Sequence, residues 1–158
     1  MAQRKMTVLA DVPKVEVGVA LIRKGNRILL VYNDRWGAFT LPMSKRRIWA
    51  NVDDPDRPLE EAWIDAAARS AAEVLGSTCA LDPEPIIEVE GERQGDADGI
   101  LKEYRFQVFK LDVNAGGPSV LGKMVDWLTA EEIIGVQRRP LSVTAIRIVE
   151  TLRRAKFV

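Results

Sequence analysis

The sequence predicts an α/β fold, read as one domain over residues 1–158. Three observations lead there. Residues 15–22 (VEVGVALI) and 28–32 (ILLVY) are β-rich apolar runs around a Lys24-Gly25-Asn26-Arg27 turn, the pattern of a hairpin. Residues 60–75 (EEAWIDAAARSAAEVL) form an alanine-dense helical stretch that stops at Gly76, a residue suited to a left-handed C-cap. Residues 142–156 (SVTAIRIVETLRRAK) repeat apolar side chains at helical spacing, with Arg153, Arg154 and Lys156 near the C-terminal end.

The remaining elements fall between these landmarks. Trp36 to Pro42 is a short extended stretch closed by proline. From Met43 to Arg57 periodicity is lost, and an insertion of about residues 46–57 is read as a long polar loop, basic first and acidic afterwards. Pro58 is expected to open the helix, with Glu60 and Glu61 in its first turn where the dipole favours anions. Alanine density on that helix points to close packing against a sheet. Residues 86–89 and 101–111 read as strands around the polar turn GERQGDADG, and Asn114 to Pro118 is a break in which Gly116-Gly117 is a plain turn. Residues 124–128 are a short strand, and Thr129-Ala130-Glu131-Glu132 begins a short capped helix. In the last helix the predicted buried stripe is Val143, Ile146, Val149 and Leu152.

Composition narrows the chemistry by what is missing. The 158 residues are enough for a core without staples, and 23 basic residues balance 23 acidic ones. Neutral overall charge gives no nucleic-acid footprint and no attraction to anionic membrane. With no apolar run long enough for a membrane span and no signal-peptide core, the expected location is the cytoplasm. Histidine is absent, which removes imidazole bases, Ser-His and Cys-His pairs and His-ligated metals. The single cysteine, Cys79, excludes intramolecular disulfides and cysteine-clustered zinc, and is read as an inert packing residue. Any metal must sit among oxygens, which selects a hard cation such as Mg²⁺ or Mn²⁺.

The order of elements resembles the Nudix hydrolase family. Gly18-Val19-Ala20-Leu21-Ile22, Arg27-Ile28-Leu29-Leu30-Val31 and Trp36-Gly37 are similar to its first strands. Leu41-Pro42-Met43-Ser44-Lys45 stands where many members read Leu-Pro-Gly-Gly-Lys, and residues 125–132 (VDWLTAEE) resemble the late Trp-containing strand and acidic helix start. The resemblance implies an α/β/α sandwich around a mixed central sheet. The family signature is G-x5-E-x7-R-E-U-x-E-E-x-G-U, with U a bulky aliphatic. Glu61 and Arg69 fit E-x7-R, Glu73 keeps the first of the paired glutamates and Gly76 fits the terminal glycine. Ser70 replaces the glutamate after the arginine, Val74 replaces the second of the pair, and Met43-Ser44 replaces the glycine pair. In an alternative register, Glu60-Glu61-Ala62 aligns further into the helix, which changes the role of Glu61 but not the losses at positions 70 and 74.

In the family, carboxylates on this helix hold divalent cations that neutralise a pyrophosphate and activate water. The resemblance therefore implies Glu73 and Arg69 as the candidate catalytic pair, the arginine in an orienting or vestigial role. Glu73 and Glu61 are the candidate ligands for Mg²⁺ or Mn²⁺. Serine and valine in place of two acids weaken such a site. Asp53, Asp54, Asp56, Glu92, Asp96, Asp98 and Glu103 are the acids available to compensate, against the common case of solvated surface charge. Lys45 and Arg46 are candidate phosphate contacts and Trp49 a candidate stacking or partner contact, while Trp36 and Trp63 read as packing residues. Three functional readings follow. They are a binding domain for a nucleotide-like or pyrophosphate-containing ligand, or for a protein, with little turnover; an active Mg²⁺-dependent hydrolase with relocated acids; and a homodimeric regulatory module.

Overall fold

A computed structural model describes residues 13–94, 100–113, 124–135 and 139–158. Its elements run β1 (Lys14–Lys24), β2 (Arg27–Asn33), β3 (Ala38–Thr40), β4 (Met43–Lys45), β5 (Ile48–Trp49), β6 (Leu59–Glu60), α1 (Trp63–Leu75), β7 (Ile87–Gln94), β8 (Leu101–Asp112), β9 (Val125–Thr129), α2 (Ala130–Ile134) and α3 (Val143–Arg154). The break at Asn114 to Pro118 and the tip of the GERQGDADG turn (95–99) lie outside the described residues.

The backbone of the main sheet follows the order β3-β2-β1-β8-β7, with β4 joined to β1 and β9 to β2. β1 and β8 run parallel, Lys14 opposite Glu103 through Arg23 opposite Asp112, while the other pairings are antiparallel. The sheet is therefore mixed, as expected. β1 reads as a nearly unbroken apolar run because both of its faces are covered. Val17, Val19 and Leu21 enter one core with Ile28, Leu30, Phe106, Val108, Ile148 and Leu152. Ala20 and Ile22 enter a second, with Leu29, Ala67, Ala71, Val74 and Phe109. Helix α1 closes the second core, and α2 with α3 closes the first, giving the α/β/α sandwich.

The alanines act as anticipated. Ala66, Ala67 and Ala71 are fully buried, and α1 lies so close to β1 that a Cβ at Gly18 would stand 2.5 Å from the Trp63 carbonyl oxygen and 2.6 Å from the Ala67 nitrogen. Only glycine fits there. Gly76 ends the helix at φ 76° and ψ 8°, its N–H donating to the Ala72 carbonyl.

Three expectations are corrected. Helix α1 begins at Trp63, not at Pro58, so Glu60 lies in β6 and Glu61 precedes the helix; Asp65 is the acid of its first turn. The cause is the insertion, which is a hairpin and not a loop. β5 pairs with β6, Ile48 opposite Glu60 and Trp49 opposite Leu59, and the Glu61 N–H donates to the Arg47 carbonyl at 2.9 Å, holding the chain extended up to the helix. Finally, the buried face of α3 is Thr144, Ala145, Ile148, Val149 and Leu152; Val143 is exposed and Ile146 partly so. Ser142 caps this helix by accepting from the Ala145 N–H and in turn donates to the Thr40 hydroxyl at 3.0 Å, which fixes the rotation of the helix on the sheet. Thr129 and Glu132 form a reciprocal capping box on α2, as the sequence signature suggested.

Replacing Gly18 with valine forces side-chain atoms into the α1 backbone. Overpacking of this kind costs about 1–3 kcal/mol, and a fall in unfolding free energy of that size, seen as a lower urea midpoint, is expected. An unchanged midpoint would refute the close approach.

Candidate functional site

The site is built on the sheet-facing side of α1. Residues 70, 73 and 74 line a cleft of about 330 Å³, bounded by β2 and its following turn on one side and by Thr40 to Met43 on the other. Ser70 is buried, and its hydroxyl donates to the Ala67 carbonyl one turn back at 2.7 Å. That bond satisfies the hydroxyl within the helix and directs it away from a ligand. Val74 is 2 % exposed and packs in the α1 core. Glu73 is exposed at the cleft, where Asp34 is the other lining acid.

Glu61 and Arg69 sit together at the edge of this arrangement. The Arg69 guanidinium donates to both carboxylate oxygens, at 2.9 Å from Nη2 and 3.4 Å from Nε, and Nη2 also donates to the Lys45 carbonyl at 2.9 Å. The Arg47 N–H adds a further bond to Glu61 at 3.0 Å. Hydrogen bonding by Arg69 is the largest influence on the Glu61 carboxyl and holds it below the ordinary value of 4.5, against a desolvation that pushes it up. Both Arg69 and Glu61 are therefore committed to each other and to the backbone, and neither lines the cleft with Glu73.

The candidate phosphate contacts have other placements. Arg46 is largely enclosed: it meets the Glu16 carboxylate at 2.6 Å, donates to the Glu61 carbonyl at 2.7 Å, approaches Glu60 at 3.7 Å and lies 4.9 Å over the Trp63 ring. It ties the hairpin root to β1 and α1. Lys45 is exposed at the same root, and Trp49 stands on the hairpin, about half exposed. None of the three lines the cleft. Asp53, Asp54 and Asp56 lie at the far end of the hairpin, Asp54 within 3.8 Å of Arg57. Glu103 pairs with Arg105 at 3.8 Å on β8, and Asp96 and Asp98 lie outside the described residues. Cys79 is half-buried with its thiol pushed up by burial, which disfavours the reactive thiolate.

Among the described residues, no group of three acidic or cysteine side chains is placed to hold a metal ion. Mg²⁺ demands near-octahedral oxygen ligation. A satisfied serine hydroxyl and a buried valine on α1 do not fit that requirement, and no step through a metal is derived.

A second, larger cleft was not foreseen. It has a volume of about 760 Å³ and opens between the β7–β8 edge of the sheet and α3. Tyr104 and Phe106 alternate on β8 so that both rings face it, nearly coplanar in orientation (10°) with centroids 5.9 Å apart. Trp36 contributes a third ring, and Arg35 and Arg147 bring positive charge. Arg147 crosses β7 where Gly91 has no side chain, and donates to the Glu90 carbonyl at 3.0 Å. Among the described residues, Arg35 is the one that lines both of these clefts. The i,i+2 aromatic pair Tyr104 and Phe106 is the sequence signal that locates this cleft, but it acquires meaning only once β7 and α3 are set against it.

The Glu61 pairing fixes a pH dependence. Because the folded-state carboxyl titrates below its unfolded value, its stabilisation is complete above pH 4.5 and is lost as pH falls through the lower folded-state value. Glu61→Gln is expected to lower stability near neutral pH by about 1.5–3 kcal/mol, the range for hydrogen bonds to charged groups. Urea melts should show that difference narrowing in acid. A gap that stays constant with pH would contradict the pairing.

No family model and no curated protein matches this sequence. Solved structures do. The MutT protein from Methanosarcina mazei Go1 is similar over 92 % of this chain and 97 % of its own, at 22 % identity and a TM-score of 0.64. The NUDIX domain of Shewanella oneidensis NrtR, crystallised with ADP ribose, is similar over 99 % of both chains at 15 % identity and a TM-score of 0.59. The C. elegans Ap4A hydrolase is similar over 90 % of this chain and 96 % of its own, at 16 % identity and a TM-score of 0.56. Strand order, helix placement and these near-complete overlaps agree, and the chain has the Nudix fold.

Proposed function

We propose that this chain is a Nudix-fold binding domain for a nucleotide-like, pyrophosphate-containing ligand, with weak or no turnover. The observation that carries the reading is the chemistry of α1: Ser70 is satisfied by its own helix and Val74 is buried in the core, leaving Glu73 as the acid of that helix at the cleft. A single carboxylate does not neutralise the charge that develops on a phosphoanhydride in the transition state. Binding makes lighter demands. The adjoining cleft is within the size range of small-ligand sites, and its Tyr104 and Phe106 rings suit a planar base. Arg35, shared by both clefts, is positioned for a phosphate between them. That the similar NrtR domain was crystallised with ADP ribose, and that another similar protein is an Ap4A hydrolase, recommends adenine-containing diphosphates as the first ligands.

One observation favours a second reading, an active Mg²⁺-dependent hydrolase: Asp34 lines the same cleft as Glu73 and is a source of a relocated ligand.

Calorimetry with ADP ribose separates these readings when paired with a phosphate-release assay in Mg²⁺ or Mn²⁺. Saturable binding without release above the blank is expected. Tyr104→Ala should weaken binding about tenfold or more, since one stacked base is worth about 1–3 kcal/mol. Release that is abolished by Asp34→Asn would establish the second reading. No heat with ADP ribose, diadenosine polyphosphates or nucleoside diphosphates would overturn the nucleotide assignment.

A further inference from the structure

Among the described residues, the hairpin between β4 and α1 stands as a two-stranded arm apart from the main sheet. β5 and β6 pair only with each other among the described residues, so neither strand extends the main sheet. Its root is nevertheless strongly held: Arg46 joins Glu16 and the Glu61 carbonyl, Arg69 joins Glu61 and the Lys45 carbonyl, and the Arg46 N–H donates to the Glu16 carbonyl at 2.9 Å. An isolated two-stranded hairpin is marginal in water. Here three anchored side chains keep it extended while it adds no side chain to either core.

The arm is also where exposed apolar surface collects. Four of the nine large hydrophobic residues exposed among the described residues lie on it: Ile48 (64 %), Trp49 (48 %), Val52 (93 %) and Leu59 (53 %). Trp49 and Leu59 are directly opposite across the strands and share one face; Ile48, opposite Glu60, projects from the other. Trp49 and Leu59, with Val52 further out at the tip, concentrate exposed apolar side chains on this one segment, and clustering of that kind is a mark of interaction surfaces. A standard interface buries about 800 Å² per partner, a little over half of it apolar.

Charge specifies what covers it. The root carries the exposed Lys45 and Arg47, and Glu60 beside them is already drawn to Arg46. The tip carries Asp53, Asp54 and Asp56, against which Arg57 offsets one charge by meeting Asp54 at 3.8 Å. An arm that is positive at its root and negative at its tip is complementary to a copy of itself running the opposite way. A two-fold axis through the Trp49–Leu59 face sets each root on the other's tip.

We propose that residues 46–61 form a self-association arm, through which two copies of this chain pair antiparallel by their Trp49–Leu59 faces. The pairing is isologous, so it closes at two and does not propagate.

Light scattering on the full chain, from micromolar to hundreds of micromolar, tests this directly. A dimer is expected, weakening as salt rises because root and tip attract across water. Trp49→Ser with Leu59→Ser should give a monomer of unchanged circular dichroism, while Ile48→Ser, on the opposite face, should leave the dimer intact. Lys45→Glu with Arg47→Glu should raise the dissociation constant at least tenfold. Adding Asp53→Lys and Asp56→Lys to those two should restore the dimer, since complementarity is then reversed but whole. A monomer at every concentration, or a dimer indifferent to Trp49 and Leu59 or to the root reversal, would overturn the proposal.

Discussion

The ion pair between Glu61 and Arg69 is the joint on which this structure turns. Glu61 stands two residues ahead of α1, and Arg69 reaches back from the second turn of the helix to take both of its oxygens. The same guanidinium holds the Lys45 carbonyl at the end of β4, so one side chain binds the start of the hairpin to its end. Two positions sixteen residues apart, where the chain leaves β4 and where it enters α1, are thereby held at one point. That fixes where α1 begins and which of its faces meets β1. The close seat of Trp63 and Ala67 over Gly18 follows, as does the assignment of positions 70, 73 and 74 to the cleft. A bidentate arginine–carboxylate pair suits this task because its geometry is directional and its charges satisfy one another. Glu61 is thereby tied through Oε1 to Arg69 and the Arg47 N–H and through Oε2 to Arg69, apart from the cleft that Glu73 lines.

Position 70 expresses the same economy on a smaller scale. A serine turned back onto its own helix carbonyl and a valine sealed into the core give α1 a face that packs well and coordinates poorly. Polar and aromatic capacity is concentrated instead across the neighbouring surface of the sheet, where the Tyr104 and Phe106 rings, Arg147 and Arg35 gather. Arg35 stands at the border between the two regions, in contact with the depleted cleft on one side and the aromatic one on the other.

Much of the fold was legible in the sequence because its elements are governed by short-range rules. The apolar run of β1, the turn after Lys24, the Thr129–Glu132 box and the stop at Gly76 are each decided within a few residues. The hairpin was not legible, since β5 and β6 are two residues each and their pairing depends on Arg46 reaching Glu16, thirty positions away. For the same reason the helix seemed to start at Pro58, where local composition permits a helix but the β6 pairing forbids one. The rotation of α3 was misjudged because Val143 and Ile146 fit a 3.6-residue stripe as well as Ala145 and Ile148 do, and the Ser142–Thr40 bond decides between them. At the candidate site, the losses at 70 and 74 could be read directly, but the Glu61–Arg69 pairing could not, because the sequence alone puts Glu61 inside the helix as a metal ligand and only the β6 pairing holds it ahead of α1 where Arg69 reaches it. The aromatic cleft could not, as it is assembled from four segments that only the tertiary fold brings together.

The parallel ladder between β1 and β8 has a consequence for how the chain reaches this state. Residues 14–23 find their partners at 103–112, so the central strand of the sheet waits for nearly ninety residues of later sequence before one of its edges is closed. Closing so long a loop is entropically costly and makes folding slow relative to helical proteins of this length. A nascent chain that has exposed β1, β2 and α1 but not β8 carries that edge of β1 unpaired, with α1 able to cover only a face of the strand. The tight seat over Gly18 covers one face of that strand, while its backbone edge stays open until residues 103–112 arrive to pair it.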